Sequence, residues 1–261
     1  MTRLRLDQLL VDRGLAPSRA AAQVLLLAGD VELVGAGTRN LKPGQLVASD
    51  ASLSVRAAPR WASRAAEKLA SALDAFAVDP RGLACLDAGA STGGFTDLLL
   101  ARGARIVYAV DVGRGQLLDR LARDPRVISM ERTNLRDLRS LPELIELATL
   151  DLSFISLRLV LPAVRGLLAA GGHVIALVKP QFEAGRDAVP RGGVVRDPAT
   201  HRAVLLAFGA QAAEVGFAPT ALAASPIAGA DGNREFLSLL AIGGPNPGWA
   251  RLVDAVLPSP V

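Results

Sequence analysis

Only one cysteine, Cys85, occurs in the 261 residues, so the chain cannot form a disulfide framework of its own. That suits a reducing compartment, and a cytoplasmic protein is the expectation. Aromatic residues make up only 4% of the chain, while Ala, Leu and Val dominate its 51% of apolar residues, a balance better suited to α/β layers than to an all-β sandwich. No apolar run reaches the roughly 18–20 residues that a membrane span needs. The longest candidates, "LLAAGGHVIALV" and "AVLLAFGAQAA", are shorter or are broken by Gly, His and Gln. The opening "MTRLRLDQLLVDRGL" is charged at positions 3, 5, 7, 12 and 13, which excludes the uninterrupted apolar centre of a secretory signal. A soluble protein with no membrane partner is therefore expected.

Lysine is the other scarcity. Three lysines stand against 26 arginines, so wherever a plain positive charge is needed the sequence has almost always used Arg. Lys42, Lys68 and Lys179 invite a reason that arginine cannot meet.

The net charge of +4 is unevenly placed. Residues 1–64 carry nine basic and five acidic side chains, whereas the rest of the chain carries twenty of each. An N-terminal excess of this kind fits a nucleic-acid-facing module or, equally, a solvated Arg-rich surface. Within it, Leu6, Leu9 and Leu10 recur at helical spacing up to Gly14, a second helix begins around Pro17 and Ser18 and runs to a turn at Gly29 and Asp30, and short strands follow in "VELVG" and "QLVASDASLSV". The segment "RAAPRWAS" reads as a joint, stiffened by Pro59 and anchored by Trp61. The expected domains are 1–58, a linker at 59–64, and 65–261.

From Ala65 onward helix and strand alternate. The strands are expected in "ACLDAG", "RIVYAVDVG", "RVISM", "LIELATLDLS", "HVIALVKP" and "FLSLLAIGG", with helices in "EKLASALDAFAV", "GGFTDLLLARG", "RGQLLDRLARD", "RLVLPAVRGLLAAG" and "HRAVLLAFGAQAAEVG". Repeated βα units predict a doubly wound parallel sheet, Rossmann-like, whose ligands lie beyond the carboxyl ends of the strands. Gly89, Gly93 and Gly94 fall between the first of these strands and its helix, where glycines let a ligand approach backbone and a helix N-terminus, or simply make a tight turn. Asp111, at the end of the next strand, suits the hydroxyls of a ribose, which serves NAD and S-adenosylmethionine alike. The only histidines, His173 and His201, read as structural, which leaves a hydride-transfer site without its acid or base.

Asp151 closes "TLDLSF" and Lys179 closes "IALVKP", so both face the same crevice; a scaffolding ion pair is the bland alternative. Lys68 precedes the first strand and Glu235 lies in "SPIAGADGNREFLSLL", which completes a charge-balanced set of two lysines and two carboxylates. A sugar hydroxyl attacking a sulfonium methyl must shed its proton, and lysine, unlike arginine, becomes a free amine when burial and a neighbouring cation lower its pKa. Lys179 is thus the candidate base, Lys68 the neighbouring cation, and Asp151 and Glu235 the orienting carboxylates.

The segments "RLDQLL", "SRAAAQVLLLAGDVELVG" and "LKPGQ" resemble a small RNA-binding domain first named for a small-subunit ribosomal protein, the S-four-like domain. That resemblance implies contacts from Arg5, Arg19, Arg39 and Lys42 to structured RNA. With "GASTGGFTD", "DVGRGQL", "ERTNLRDL", "DLSFISL", "VKPQFEAGR", "GGVVRD" and "SPIAGADGNREFL" in the same order, nearly the whole chain resembles the TlyA family, whose catalytic domain is similar to FtsJ-type ribose methyltransferases. The resemblance implies S-adenosylmethionine as cofactor, no metal, and 2′-O-methylation of cytidine in ribosomal RNA or ribosomal subunits, with members also labelled haemolysins. It puts the catalytic tetrad on Lys68, Asp151, Lys179 and Glu235. It puts the cofactor site on Asp87, Gly89, Ala90, Ser91, Thr92, Gly93, Gly94, Phe95, Asp111, Val112, Asn134 and Leu135. Two positions depart from the family: Ala65 and Ala66 replace small Gly-containing pairs, and Arg114 stands where an aromatic is frequent.

Rival readings are a pore-forming haemolysin, for which no membrane segment is found, an RNA-binding protein without methyl transfer, and a base methyltransferase. For the last, "DLSF" lacks the Pro-Pro-aromatic turn of amino-directed enzymes, and Cys85 lies inside a strand rather than where a nucleophile would stand.

Overall fold

A computed structural model describes residues 3–16, 18–28, 31–34, 41–55, 61–185, 188–229, 232–243 and 248–257. The chain divides into two compact units, Met1–Arg60 and Trp61–Val261. Arg39, Pro17, the Gly29–Asp30 turn and linker residue Pro59 lie outside the described residues.

In the first unit, α1 (Leu6–Asp12) and α2 (Arg19–Ala28) each turn apolar residues inward. Leu6, Leu9, Leu10, Ala22 and Leu26 meet Val31 and Val47 in one core. Gly14, with φ at +68°, follows the first helix where the spacing places its end. Two small antiparallel pairs cover the helices: β1 (Arg3–Arg5) with β3 (Leu46–Ala48), and β2 (Val31–Leu33) with β4 (Leu53–Val55). The sequence gives no sign of β1, because three residues are too few for a periodicity to register.

The second unit is built on a seven-stranded sheet in the order β10-β11-β9-β8-β5-β6-β7. Its strands are β5 (Ala84–Ala88), β6 (Ile106–Val110), β7 (Val127–Met130), β8 (Ile145–Leu150), β9 (Leu168–Val178), β10 (Phe217–Ala224) and β11 (Phe236–Ile242). Helices lie on both faces because alternate strand residues point to opposite sides. Cys85, Val107, Ala109, Leu147, Ile175 and Leu177 pack with Leu69 and Leu73 of α3 (Ala65–Ala75) and with Phe95, Leu98 and Leu99 of α4 (Gly94–Ala101). Leu86, Tyr108, Val110, Ala148, Val174 and Ala176 face the other way. They pack with α6 (Leu161–Leu167), α8 (Pro198–Glu214) and α9 (Trp249–Val256), through Val164, Phe208 and Val253 among others. Trp61 packs partly buried on the α3–α4 side.

Strands β5, β6, β7, β8 and β9 are mutually parallel, and β5 pairs with β6 on one side and β8 on the other, so the strand order reverses there. The doubly wound sheet expected from the βα repeats is present, with one departure from parallel pairing at its edge: β11 runs antiparallel to both β9 and β10. β10 goes unread in the sequence because its "FAPTALAA" is Ala-rich and holds a proline; as the outermost strand it tolerates Pro219 beside a register shift. The helix expected over "RGQLLDRLARD" is confined to α5 (Asp119–Ala122), and α6 stops at Leu167 where the chain turns into a longer β9. The terminal helix α9 is a further addition.

Candidate active site

The antiparallel direction of β11 is what completes the site. β5, β8 and β9 end at one edge of the sheet, and a strand running the opposite way begins there. Phe236 is paired with Val178, so the preceding Glu235 arrives at the edge where Lys179 follows β9 and Asp151 follows β8. Lys68 reaches the same place from the first turn of α3.

Two ion pairs result. Lys68 Nζ lies 2.6 Å from Glu235 Oε2, and Lys179 Nζ lies 2.6 Å from Asp151 Oδ1 and donates to Ser153 Oγ at 3.1 Å. Lys68 and Lys179 are each 8% exposed and Glu235 is 2% exposed. Removing this many charges from water offsets most of their mutual attraction, so the pairs contribute little net stability. All four side chains line one cavity of about 680 Å³, together with Gly89, Ala90, Ser91, Thr92, Gly94 and Phe95.

A second cavity of about 420 Å³ shares Gly89, Ser91, Asp151, Ser153 and Phe154 with the first, so the two form one cleft. It contains Asp111, Val112, Asn134 and Leu135. The Asp111 carboxylate accepts the Ser91 and Gly113 amides at 2.8 and 2.7 Å, one on each oxygen, which fixes its orientation and leaves a lone pair on each oxygen for a hydroxyl. Gly89 has φ at +85°, and a Cβ there would collide with the carbonyl oxygen of Asp151. Glycine is therefore what allows β5 and β8 to end side by side.

Two residues of the expected cofactor set stand behind the cleft rather than on it. Gly93 caps α4. Asp87 is wholly buried and accepts the Thr96 amide and hydroxyl at 2.8 and 2.6 Å, tying β5 to the first turn of α4. Burial, opposed by those hydrogen bonds and aided by the Asp151 and Asp111 carboxylates, pushes its carboxyl up to about 7. In the first unit, Arg5 and Arg19 both bind Asp7, Lys42 is exposed, and Arg39 is outside the described residues. Burial pushes the Cys85 thiol up to about 12, which leaves no thiolate for nucleophilic attack near neutrality. His201 is held inside by the Val195 carbonyl at 3.0 Å.

Several site residues escape the sequence reading. Phe154, 91% exposed, projects at the cleft mouth with a left-handed φ of +63°, its ring 5.1 Å from that of Phe182. Phe182 belongs to α7 (Pro180–Glu183), directly after Lys179. Glu183 of that helix accepts the Ser156 hydroxyl at 2.7 Å and the Leu157 amide at 2.8 Å, so it clamps the loop after Asp151 to the turn after Lys179. Burial raises the Glu183 carboxyl above the usual range. The phenylalanine in "DLSF" and the "QFE" after Lys179 are the signals available in the sequence, since both adjoin strand ends.

Known proteins fit this architecture. The description FtsJ-like methyltransferase matches residues 61–241. The 16S/23S rRNA (cytidine-2′-O)-methyltransferase TlyA of Mycobacterium tuberculosis is 47% identical over 240 residues, covering 90% of this chain and 88% of that protein. Hemolysin A of Brachyspira hyodysenteriae is 37% identical over 238 residues, covering 90% and 98%. A solved structure from Streptococcus thermophilus that carries the name hemolysin superposes with a TM-score of 0.73 at 40% identity, covering 98% of this chain and 96% of that one. Among the described residues no helix is long and apolar enough to cross a membrane.

S-adenosylmethionine is the cofactor that such a family implies, and the cleft suits it chemically. Asp111 offers acceptors for ribose hydroxyls, Val112 and Leu135 offer apolar surface beside them, and the loop Gly89–Phe95 lies between these and the paired lysines. By sheet order, cleft and extended sequence identity, this chain belongs to the TlyA family of FtsJ-like methyltransferases.

Proposed function

We propose that this chain methylates the 2′-hydroxyl of a ribose, that of a cytidine, in ribosomal RNA. The observation that carries the reading is the pair of buried lysine–carboxylate contacts on the wall of a cavity continuous with the Asp111 pocket. The name of the Mycobacterium tuberculosis relative supports the substrate class.

When bound, S-adenosylmethionine would supply an electrophilic methyl group on a sulfonium centre and would leave as the neutral thioether once its sulfur–methyl bond breaks. The hydroxyl oxygen must lose its hydrogen as it forms the new bond to carbon, because an unassisted alcohol is a poor nucleophile near neutrality. Lys179, as the free amine, takes that proton at Nζ and releases it to solvent afterwards. Asp151 and Ser153 hold this amine in place, at 2.6 and 3.1 Å. Lys68 and Glu235 form the other half of the tetrad, an ammonium–carboxylate pair on the wall of the same cavity. Phe154 and Phe182 offer apolar surface for the base attached to the reacting sugar, and the Glu183 clamp keeps the two loops that carry them in register.

Residues 1–58 act, on this reading, as an S-four-like RNA-binding domain joined by a linker at 59–64. Arg5, Arg19, Arg39 and Lys42 contact phosphates, so binding weakens with salt as counterions compete.

The test is direct. Purified bacterial small- and large-subunit rRNA, free and as ribosomal subunits, is incubated with the protein and methyl-labelled S-adenosylmethionine, and nucleosides are identified by mass spectrometry. The label is expected on 2′-O-methylcytidine. Label on a nucleobase, or no transfer to any of the four substrates, would remove the reading.

A further inference from the structure

The carboxylate of Asp7 is 0% exposed, yet it sits at the beginning of a surface helix, among basic side chains. It receives Arg5 in a two-point contact, Nε on Oδ1 at 3.0 Å and Nη2 on Oδ2 at 2.9 Å. The same Oδ2 accepts Arg19 Nη2 at 3.2 Å and Gln23 Nε2 at 3.0 Å. The Arg5 hydrogen bonds, with those from Gln23 and Arg19, hold this acid well below the usual carboxylate range, so it remains an anion throughout the physiological window. Arg5 ends β1 and Arg19 opens α2, so one buried acid fixes guanidinium groups from two different elements. Both arginine side chains stay about half exposed, at 49% and 50%. A guanidinium has five N–H donors. Arg5 spends two of them on Asp7 and Arg19 spends one, so most of the donors of both remain available.

We propose that Asp7 is a positioning residue that holds Arg5 and Arg19 as one preformed two-arginine fork for the phosphate backbone of RNA. This rests on the RNA-binding reading of the first unit and adds the device that makes it effective. Long flexible side chains lose rotamer freedom when they close on a phosphate, and a fork ordered beforehand has already lost it. The planar guanidinium suits the task, since its unused edge can meet two phosphate oxygens at once.

A simple charge argument predicts the opposite sign. Asp7 cancels positive charge, so its removal should tighten RNA binding and steepen its salt dependence. The full-length chain is therefore titrated with deproteinised bacterial 16S and 23S rRNA at several salt concentrations, with hydrogen exchange over residues 3–16 as the check on folding. Asp7→Asn, which keeps the shape and loses the charge, is expected to weaken binding by roughly tenfold, the order expected when two side chains must be ordered on binding. Its salt slope should be no steeper than that of the parent. Equal or tighter binding would overturn the proposal. Arg5→Lys decides the matter if Asp7→Asn does not fold: charge is conserved and the two-point contact is lost, so severalfold weaker binding supports the fork and unchanged binding removes it. The double variant Arg5→Gln with Arg19→Gln separates the layers. If it binds as the parent does, the RNA-binding role of these arginines fails; if it binds weakly while Asp7→Asn binds normally, only the positioning role fails.

Discussion

Lys68 and Glu235 are 167 residues apart in the chain, and their side chains meet at 2.6 Å in the interior. Such a contact ties α3, at the start of the second unit, to the strand that closes the cleft. Removing one partner leaves an unpaired buried charge, which costs about 3–5 kcal/mol. Glu235→Leu alone should therefore lower the midpoint of thermal unfolding by several degrees. Lys68→Met with Glu235→Leu should recover much of that loss while remaining inactive in methyl transfer. Differential scanning calorimetry beside a methylation assay reads both, and recovery of activity in the double variant would show that the pair is scaffolding.

Lys179 is the position where charge and chemistry separate. Arginine preserves the positive charge and a contact with Asp151, but it does not become a free base in water. Lys179→Arg and Lys179→Ala should both lower the rate of methyl transfer by roughly 10²–10⁴-fold, the usual scale of base catalysis. Binding of S-adenosylmethionine by calorimetry should survive in both. Near-normal turnover in the arginine variant would remove Lys179 as the base.

Gly89 tests the close approach of two strand ends. Alanine there would meet a left-handed φ of +85° and a collision with the Asp151 carbonyl. The left-handed conformation alone costs about 1–2 kcal/mol, and relief of the clash must displace Asp151. Gly89→Ala should lower stability by at least that amount and weaken S-adenosylmethionine binding more than Ser91→Ala does. Equal effects in the two variants would show that the turn is not tightly constrained.

The pH response of stability should carry the signature of Asp87. A carboxyl whose folded-state pKa lies above its unfolded value keeps its proton longer in the folded chain, so the stability it contributes is full below about pH 4 and is lost as pH rises through about 7. Chemical denaturation between pH 4 and pH 8 should therefore show stability falling by a few kcal/mol from this group. Asp87→Asn removes the titration and should flatten that part of the curve. An unaltered slope in the variant would assign the pH dependence elsewhere.

The parts of this molecule legible in its sequence are those set by local patterns. Alternating apolar strands and helical stripes locate β5, β6, β7, β8, β9, β11, α3, α4 and α8, and strand ends locate Asp111, Asp151 and Lys179. What escapes is set by pairing between distant segments. Nothing in "FLSLLAIGG" says that it runs antiparallel, although that direction delivers Glu235 to the cleft. Asp87 sits among cofactor-loop residues in the sequence, but alternation along β5 turns its side chain toward Thr96. The Glu183 clamp depends on a contact with Ser156 across two loops, which no spacing within either loop encodes.

Phe154 offers a test in which stability and function should move in opposite directions. It holds a left-handed backbone, costly for a residue with a bulky side chain, and exposes an aromatic ring to water at 91%. Apart from the ring contact with Phe182, neither feature aids folding, and on the proposed reading the ring serves the RNA that enters the cleft. Phe154→Gly relieves the backbone and should raise stability by about 1 kcal/mol. Phe154→Ala keeps the unfavourable φ and loses the ring contact with Phe182, so it should not raise stability. Both should raise KM for rRNA by roughly tenfold, the loss expected for one base–aromatic contact, with S-adenosylmethionine affinity preserved. If the glycine variant is more stable and binds rRNA as the parent does, Phe154 has no part in holding the substrate.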